Sequence, residues 1–167
     1  MNQPVSDIRS RIWSRAEAAD RAAVLRAEGK KLVFTNGCFD LLHPGHVLYL
    51  EEAARLGDFL IVGVNTDASV QRLGKSPSRP IQHEEGRALV IASLASVGAV
   101  ILFGEDTPRE LISEVLPDVL VKGADYKPED IAGYDIVNGR GGRVATIPFV
   151  EGYSTTALER KIISAHR

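Results

Sequence analysis

Two histidines, His43 and His46, close the stretch Thr35-Asn36-Gly37-Cys38-Phe39-Asp40-Leu41-Leu42-His43-Pro44-Gly45-His46. Pro44 and Gly45 suit the first turn of a helix, where free N–H groups and the positive dipole end form an anion site. Three residues apart on that turn, the imidazoles fall on one side. Such rings beside a helix N-terminus suit a polyphosphate whose negative charge grows during reaction. Gly37 lets the chain turn and lets a ligand approach the backbone. Two other uses compete. Cys38, His43 and His46 are ordinary zinc donors, although no fourth ligand stands out and the spacing matches no common zinc motif. The histidines could also serve only to cap and pack.

Other polar residues stand at comparable places. Ser154, Thr155 and Thr156 follow Gly152 where a last helix should begin; one hydroxyl would make the N-cap, and three exceed that need. Lys122 ends a short apolar run, with Gly123 and Asp125 after it. A lone lysine at a strand end is usually solvated, but at the carboxyl edge of a sheet it is expected near anionic ligands, while Asp125 suits a sugar or ribose hydroxyl or simply a turn. Lys75, Arg79 and Arg87 cluster in and after a Gly/Pro/Ser-rich loop, and guanidinium groups match phosphate oxygens bidentately. Asp40 can meet substrate hydroxyls or magnesium, or cap its own loop.

The elements that must hold these residues follow from the hydrophobic pattern. Val5 to Glu28 has apolar residues at three- and four-residue steps and is expected as one helix, stopped by Gly29. From Lys31 short apolar runs alternate with amphipathic segments. Strands are expected at Leu32 to Thr35, Phe59 to Val64, Ala99 to Phe103, Val119 to Lys122 and Arg143 to Pro148. Helices are expected at Pro44 to Leu56, Asp67 to Leu73, Glu84 to Ser96, Thr107 to Leu116 (Thr107 as N-cap, Pro108 first in the helix) and Ser154 to Ala165. Such alternation implies a Rossmann-like α/β fold: an open parallel sheet with helices on both faces, plus an N-terminal helix. Ligands of such sheets bind beyond the carboxyl ends of the strands, which is where the residues above fall. Residues 1–30 are expected as a helical extension and 31–167 as the catalytic domain.

Composition bounds the function classes. The chain has 167 residues, 44% of them hydrophobic and 25% charged, the balance of one soluble globular domain. Lys and Arg number 20 against 22 Asp and Glu, a net charge of -2, which argues against a nucleic-acid coat protein. No apolar run is long enough to span a bilayer, and no secretory signal is evident. A single cysteine, Cys38, allows no intrachain disulfide and fits a reducing cytoplasm.

The stretch Thr35 to His46 resembles the nucleotidyltransferase superfamily whose signature is His-x-Gly-His, in its cytidylyltransferase-like branch. Asn36 to His46, Ser78 to Ile81, Glu105 to Pro108, Pro117 to Tyr126 and Gly152 to Thr156 together resemble the adenylyltransferase part of bacterial ADP-heptose synthesis proteins. The resemblance implies transfer of AMP from ATP to D-glycero-β-D-manno-heptose 1-phosphate, with Mg²⁺ bound through the triphosphate and no metal held by the protein alone. It implies nucleotide contacts from Thr35, Asn36, Gly37, Cys38, Phe39, His43, Gly45, His46, Lys122, Gly152, Ser154, Thr155 and Thr156. His43, His46 and Lys122 would be catalytic, and Asp40, Lys75, Arg79, Arg87 and Asp125 would meet the sugar phosphate. The mechanism requires no thiol, so Cys38 is expected to pack. Two departures stand out: Phe149 and Val150 replace the Arg-Thr of glycerol-phosphate cytidylyltransferases, and Gly74-Lys75 replaces a usual Lys-Gly. The alternatives are a cytidylyltransferase using CTP and a polyol phosphate, or a nucleotide-binding module without catalysis. Related proteins often carry a sugar kinase domain ahead of this one, so the kinase step is expected from a separate polypeptide. Ile8, Ile12 and Trp13 would then offer an apolar face to their own domain or to a second copy, and a homodimer is expected.

Overall fold

The computed structural model describes residues 7–74, 78–148 and 150–165. Ser14 and Glu17 form a capping box: the Ser14 backbone N–H donates to Glu17 Oε2 at 3.0 Å and the Glu17 N–H to Ser14 Oγ at 3.3 Å. A box of this kind begins a helix, here α1 (Arg15–Ala27). What precedes it is therefore not the same helix. A 3₁₀ turn (Ile8–Arg11), capped by Asp7, leads into a two-residue strand β1 (Ile12–Trp13). The single helix expected over Val5 to Glu28 is corrected by this break. Within the expected extension, Ile12 and Trp13 join the sheet through β1.

The remaining elements are β2 (Leu32–Gly37), α2 (Pro44–Ala54), β3 (Phe59–Asn65), α3 (Asp67–Arg72), α4 (Glu84–Ala92), β4 (Ala99–Phe103), α5 (Arg109–Val115), β5 (Val119–Gly123), α6 (Tyr134–Gly139), β6 (Arg143–Ile147) and α7 (Thr155–Ala165). The strands form one six-stranded sheet in the order β1-β4-β3-β2-β5-β6. Every pair is parallel. This is the α/β architecture that the alternating pattern implies.

Alternation along the strands fills two cores, one on each face. Leu32, Phe34, Ile61, Ile101 and Leu120 pack with Ala18 and Ala22 of α1 and with Leu111, Ile112 and Val115 of α5. Val33, Val62, Val100 and Val121 pack on the opposite face with Leu50 and Ala53 of α2 and Ala88 and Ile91 of α4. The chain runs outward from β2 through β3 to β4, then crosses back to β5 on the other side of β2. The carboxyl ends of β2 and β5 therefore flank the topological switch point, where a crevice opens.

Several boundaries shift. α4 ends at Ala92 rather than Ser96, because the chain must turn before Gly98, whose N–H donates to the Leu60 carbonyl at 2.9 Å. α5 begins after Pro108, whose carbonyl accepts the first helical bond from Ile112. The six-residue α6 has no counterpart in the sequence reading: it is too short for a periodic stripe, and it starts from Gly133 in the left-handed region, φ +90°. Ile8, Ile12 and Trp13 are not free for a second copy. Trp13 is buried and stacks on Phe59 with ring centroids 5.7 Å apart, while Ile8 and Ile12 pack against the opposite core. Of the two uses expected for this segment, packing on the chain's own domain is the one the structure shows.

Candidate functional site

β2 carries Asn36 and Gly37 to the carboxyl edge, and α2 starts a short loop later with His43 at its N-cap and Pro44 in the first turn. The His43 side chain makes no capping bond. Its ring instead stacks on that of His46, with centroids 3.7 Å apart and planes 19° from parallel. Gly45 makes this possible. A Cβ there would stand 3.1 Å from His43 Nδ1 and 3.1 Å from the Tyr153 Cβ, tighter than ordinary packing. Phe39, buried and at φ +48°, sets its ring edge-on to His46 at 5.4 Å.

Burial holds both imidazoles below the usual histidine range. His43 is lowered by desolvation, and His46 falls to about 4 through desolvation and then the charge of His43. Both rings are thus neutral at neutral pH when no anion is bound. Nδ1 of each ring, and Asn36 Oδ1, are buried with no partner among the described residues. Nε2 remains the nitrogen through which each ring can meet a ligand.

A cleft of about 720 Å³ surrounds this pair. Its lining brings together Asn36, Gly37, Cys38, Phe39, Asp40, His43, Gly45, His46, Arg79, Lys122, Asp125, Ser154, Thr155 and Thr156. Lys122 is next to last in β5, its Nζ 5.6 Å over the Tyr126 ring. Ser154 Oγ accepts from the Ala157 N–H at 3.0 Å and so caps α7, leaving the Thr155 and Thr156 hydroxyls to line the cleft. Arg79 Nη2 donates to Glu159 Oε2 at 2.9 Å.

Three of the described expected residues, Thr35, Arg87 and Gly152, are not in that lining, and Asp40 lies in it with its carboxylate already engaged. The Thr35 hydroxyl is buried and donates to the Val121 carbonyl at 3.0 Å, so its oxygen accepts from the Tyr49 hydroxyl at 2.8 Å. Arg87 is buried with its guanidinium fully engaged, at 2.9 Å to the Gln82 carbonyl, 2.6 Å to the Cys38 carbonyl and 2.7 Å to Asp67 Oδ1. It braces the site loop from behind and does not reach the cleft. Asp40 borders the cleft, yet its carboxylate accepts from the Ile81 N–H (2.8 Å) and the Gln82 N–H (2.9 Å), which anchors the chain after Arg79. Gly152, at φ +86°, makes the turn into Ser154. Lys75 lies outside the described residues.

No three His, Cys, Asp or Glu side chains stand together as a metal site among the described residues. The zinc reading thus loses its geometry: His43 and His46 lie face to face instead of diverging around an ion. Cys38 Sγ lies 3.9 Å from Asn65 Oδ1. Sequence reasoning missed Asn65, a buried polar residue at the end of β3 that also lines the cleft and donates to Ser69 Oγ at 3.0 Å. An asparagine closing an apolar run at the carboxyl edge was its signal. It also missed Tyr153, whose ring lies parallel to His43 at 6.3 Å. Nothing local in the sequence marks that contact.

Comparison with known proteins agrees with this geometry. The "Cytidylyltransferase-like" family model matches residues 34–161. The chain is 56% identical over 151 residues to "Bifunctional protein HldE" of Haemophilus influenzae, covering 90% of this chain and 32% of that protein. It is 60% identical over 140 residues to the protein of that name in Chromohalobacter salexigens, covering 84% and 29%. It thus spans about a third of the length of these curated relatives. Among solved structures, the lipopolysaccharide core biosynthesis protein of Thermoplasma volcanium aligns with TM-score 0.60 at 32% identity, covering 75% of this chain and 100% of that one. Pantothenate synthetase of Thermus thermophilus aligns at TM-score 0.54, 18% identity and coverage of 84% and 62%, a likeness of fold alone. With the switch-point cleft, the His-x-Gly-His turn and a family match over more than half its length, the chain belongs to the cytidylyltransferase-like family.

Proposed function

We propose that this chain transfers AMP from ATP to D-glycero-β-D-manno-heptose 1-phosphate, releasing pyrophosphate and making ADP-heptose for lipopolysaccharide core synthesis in the cytoplasm. The observation that carries the reading is the stacked His43–His46 pair, neutral and without partners at Nδ1 among the described residues, in one cleft with Thr155 and Thr156. The choice of adenine and of heptose rests on the motif resemblance and on the relatives above.

The acceptor needs no activated side chain. A phosphate oxygen of the sugar 1-phosphate is already anionic; it attacks the α-phosphorus, the new O–P bond forms, and the α–β bridging bond breaks to release pyrophosphate. The protein holds the two reactants in line and answers the charge that gathers on the departing group. His43 and His46 donate to that group from the start of α2, Thr155 and Thr156 donate from the start of α7, and Lys122 adds positive charge. Asp40 is already saturated by backbone N–H groups and does not fit a metal ion, whereas Asp125 lines the cleft near Lys122 and fits one carried in on the nucleotide. When bound, Mg²⁺ would neutralise phosphate charge while keeping most of its waters. The acceptor itself has to come from a sugar-phosphorylating reaction.

Pyrophosphate release from ATP or CTP, with a panel of sugar 1-phosphates and polyol phosphates, tests the proposal. Release only with ATP and heptose 1-phosphate is expected. Release with CTP and a polyol phosphate instead would overturn it.

A further inference from the structure

α7 bears the cleft hydroxyls but packs lightly. None of its described side chains is buried, and Leu158, Ile162 and Ile163 are exposed. Glu159 ties it to the loop before α4. This carboxylate accepts from Arg79 Nη2 at 2.9 Å and from Ser78 Oγ at 3.3 Å. Glu159 lies four residues after Thr155 and three after Thr156, on their side of the helix. The ion pair therefore sets two parts of the cleft at once: the position of the hydroxyls and that of the guanidinium.

Arg79 has an unfinished donor set. Its side chain is 13% exposed and lines the cleft, and its Nε is buried with no partner among the described residues. A buried donor left unmatched is rare in a folded protein and points to a missing acceptor. The backbone just after Arg79 is fixed by Asp40 through the Ile81 and Gln82 N–H groups, so the guanidinium is pinned from both ends. Glu159 takes Nη2 and leaves the Nε donor of the same fork for an anion, a donor set that suits a phosphate.

We propose that Glu159 is a positioning residue: it holds Arg79 and α7 so that the free edge of the guanidinium binds a phosphate group in the cleft. This deepens the phosphate-transfer reading and rests on it. The phosphate belongs either to the end of the nucleoside triphosphate or to the phosphorylated acceptor. A carboxylate this near a phosphate repels it, so its use is to orient the cation between them.

The experiment titrates the full chain and its E159Q and E159D variants with inorganic pyrophosphate, standing for the triphosphate end, and with inorganic phosphate, standing for the acceptor's group. KM and kcat are measured where turnover exists. E159Q is expected to weaken one of the two anions roughly tenfold and to raise the KM of the matching substrate, with kcat changed far less. E159D is expected to recover part of the loss. The anion that weakens identifies which phosphate Arg79 holds. Unchanged affinity for both anions beside a lower melting temperature would make the pair merely structural and overturn the proposal. Tighter binding in E159Q would make Glu159 a competitor of the anion and overturn it equally, as would binding of neither anion by the unaltered chain. If heptose 1-phosphate is not a substrate, only the functional reading falls, because the anion titrations do not depend on turnover.

Discussion

The rings of His43 and His46 lie 3.7 Å apart and nearly parallel, a distance at which both cannot carry charge without strong repulsion. Burial lowers both pKa values, His46 to about 4. In the unfolded chain the same histidines titrate near ~6.5. Between those values the unfolded state binds the proton that the folded state refuses, so stability is greatest above pH ~6.5 and falls as pH drops toward 4. Urea midpoints measured across that window should decline with acid in the unaltered protein and decline less in His46→Gln. Equal slopes in the two proteins would place the acid sensitivity elsewhere.

His46→Ala removes a donor to the departing group and should lower kcat by about 10² to 10³. The ring also packs edge-on to buried Phe39, so a stability loss of about 1 kcal/mol should accompany it. Turnover per folded molecule, measured beside the melting curve, separates the two effects. A variant that melts early yet turns over normally would make the ring structural.

Gly45→Ala tests the spacing of the pair. The added methyl would press on His43 Nδ1 and the Tyr153 Cβ, each at 3.1 Å, while the helix itself would favour alanine. Catalytic efficiency should fall by about tenfold or more, with the melting temperature within about 4 °C of the parent. Full activity would show that the rings can shift without penalty.

Arg87 separates bracing from binding. Arg87→Gln would leave Asp67 without its cation and the Cys38 carbonyl without its donor, a loss of about 3–5 kcal/mol. Denaturant unfolding should show this loss, while substrate KM per folded molecule should change much less than in Arg79→Gln. A large KM effect with unchanged stability would restore Arg87 as a direct ligand.

Trp13→Ala should remove about 3–5 kcal/mol, since the ring is buried against Phe59 in the shared core. Light scattering should give the same mass before and after the substitution. A drop in mass would show that the N-terminal segment joins copies after all.

The sequence by itself determined the alternation of strands and helices, because four- to six-residue apolar runs separated by amphipathic helical segments bury best as the strands of a covered parallel sheet. It also determined the His-x-Gly-His turn and the hydroxyls of α7, since Pro44, Gly45, Gly152 and Ser154 act through local backbone rules. Even the break before α1 was written in Ser14 and Glu17, although the apolar spacing from Val5 hid it. What Arg87 and Asp40 do was decided by tertiary structure alone. A guanidinium or carboxylate has the same local signature whether it meets a substrate phosphate or a backbone group nearly fifty residues away. Arg87 turns inward because Asp67 and the Cys38 carbonyl await it across the sheet edge, and Asp40 because Ile81 and Gln82 present bare N–H groups to it. The Trp13–Phe59 stack and the pairing of β1 with β4 are likewise long-range: an open strand edge drew the N-terminal segment into the sheet, a choice that no local periodicity encodes.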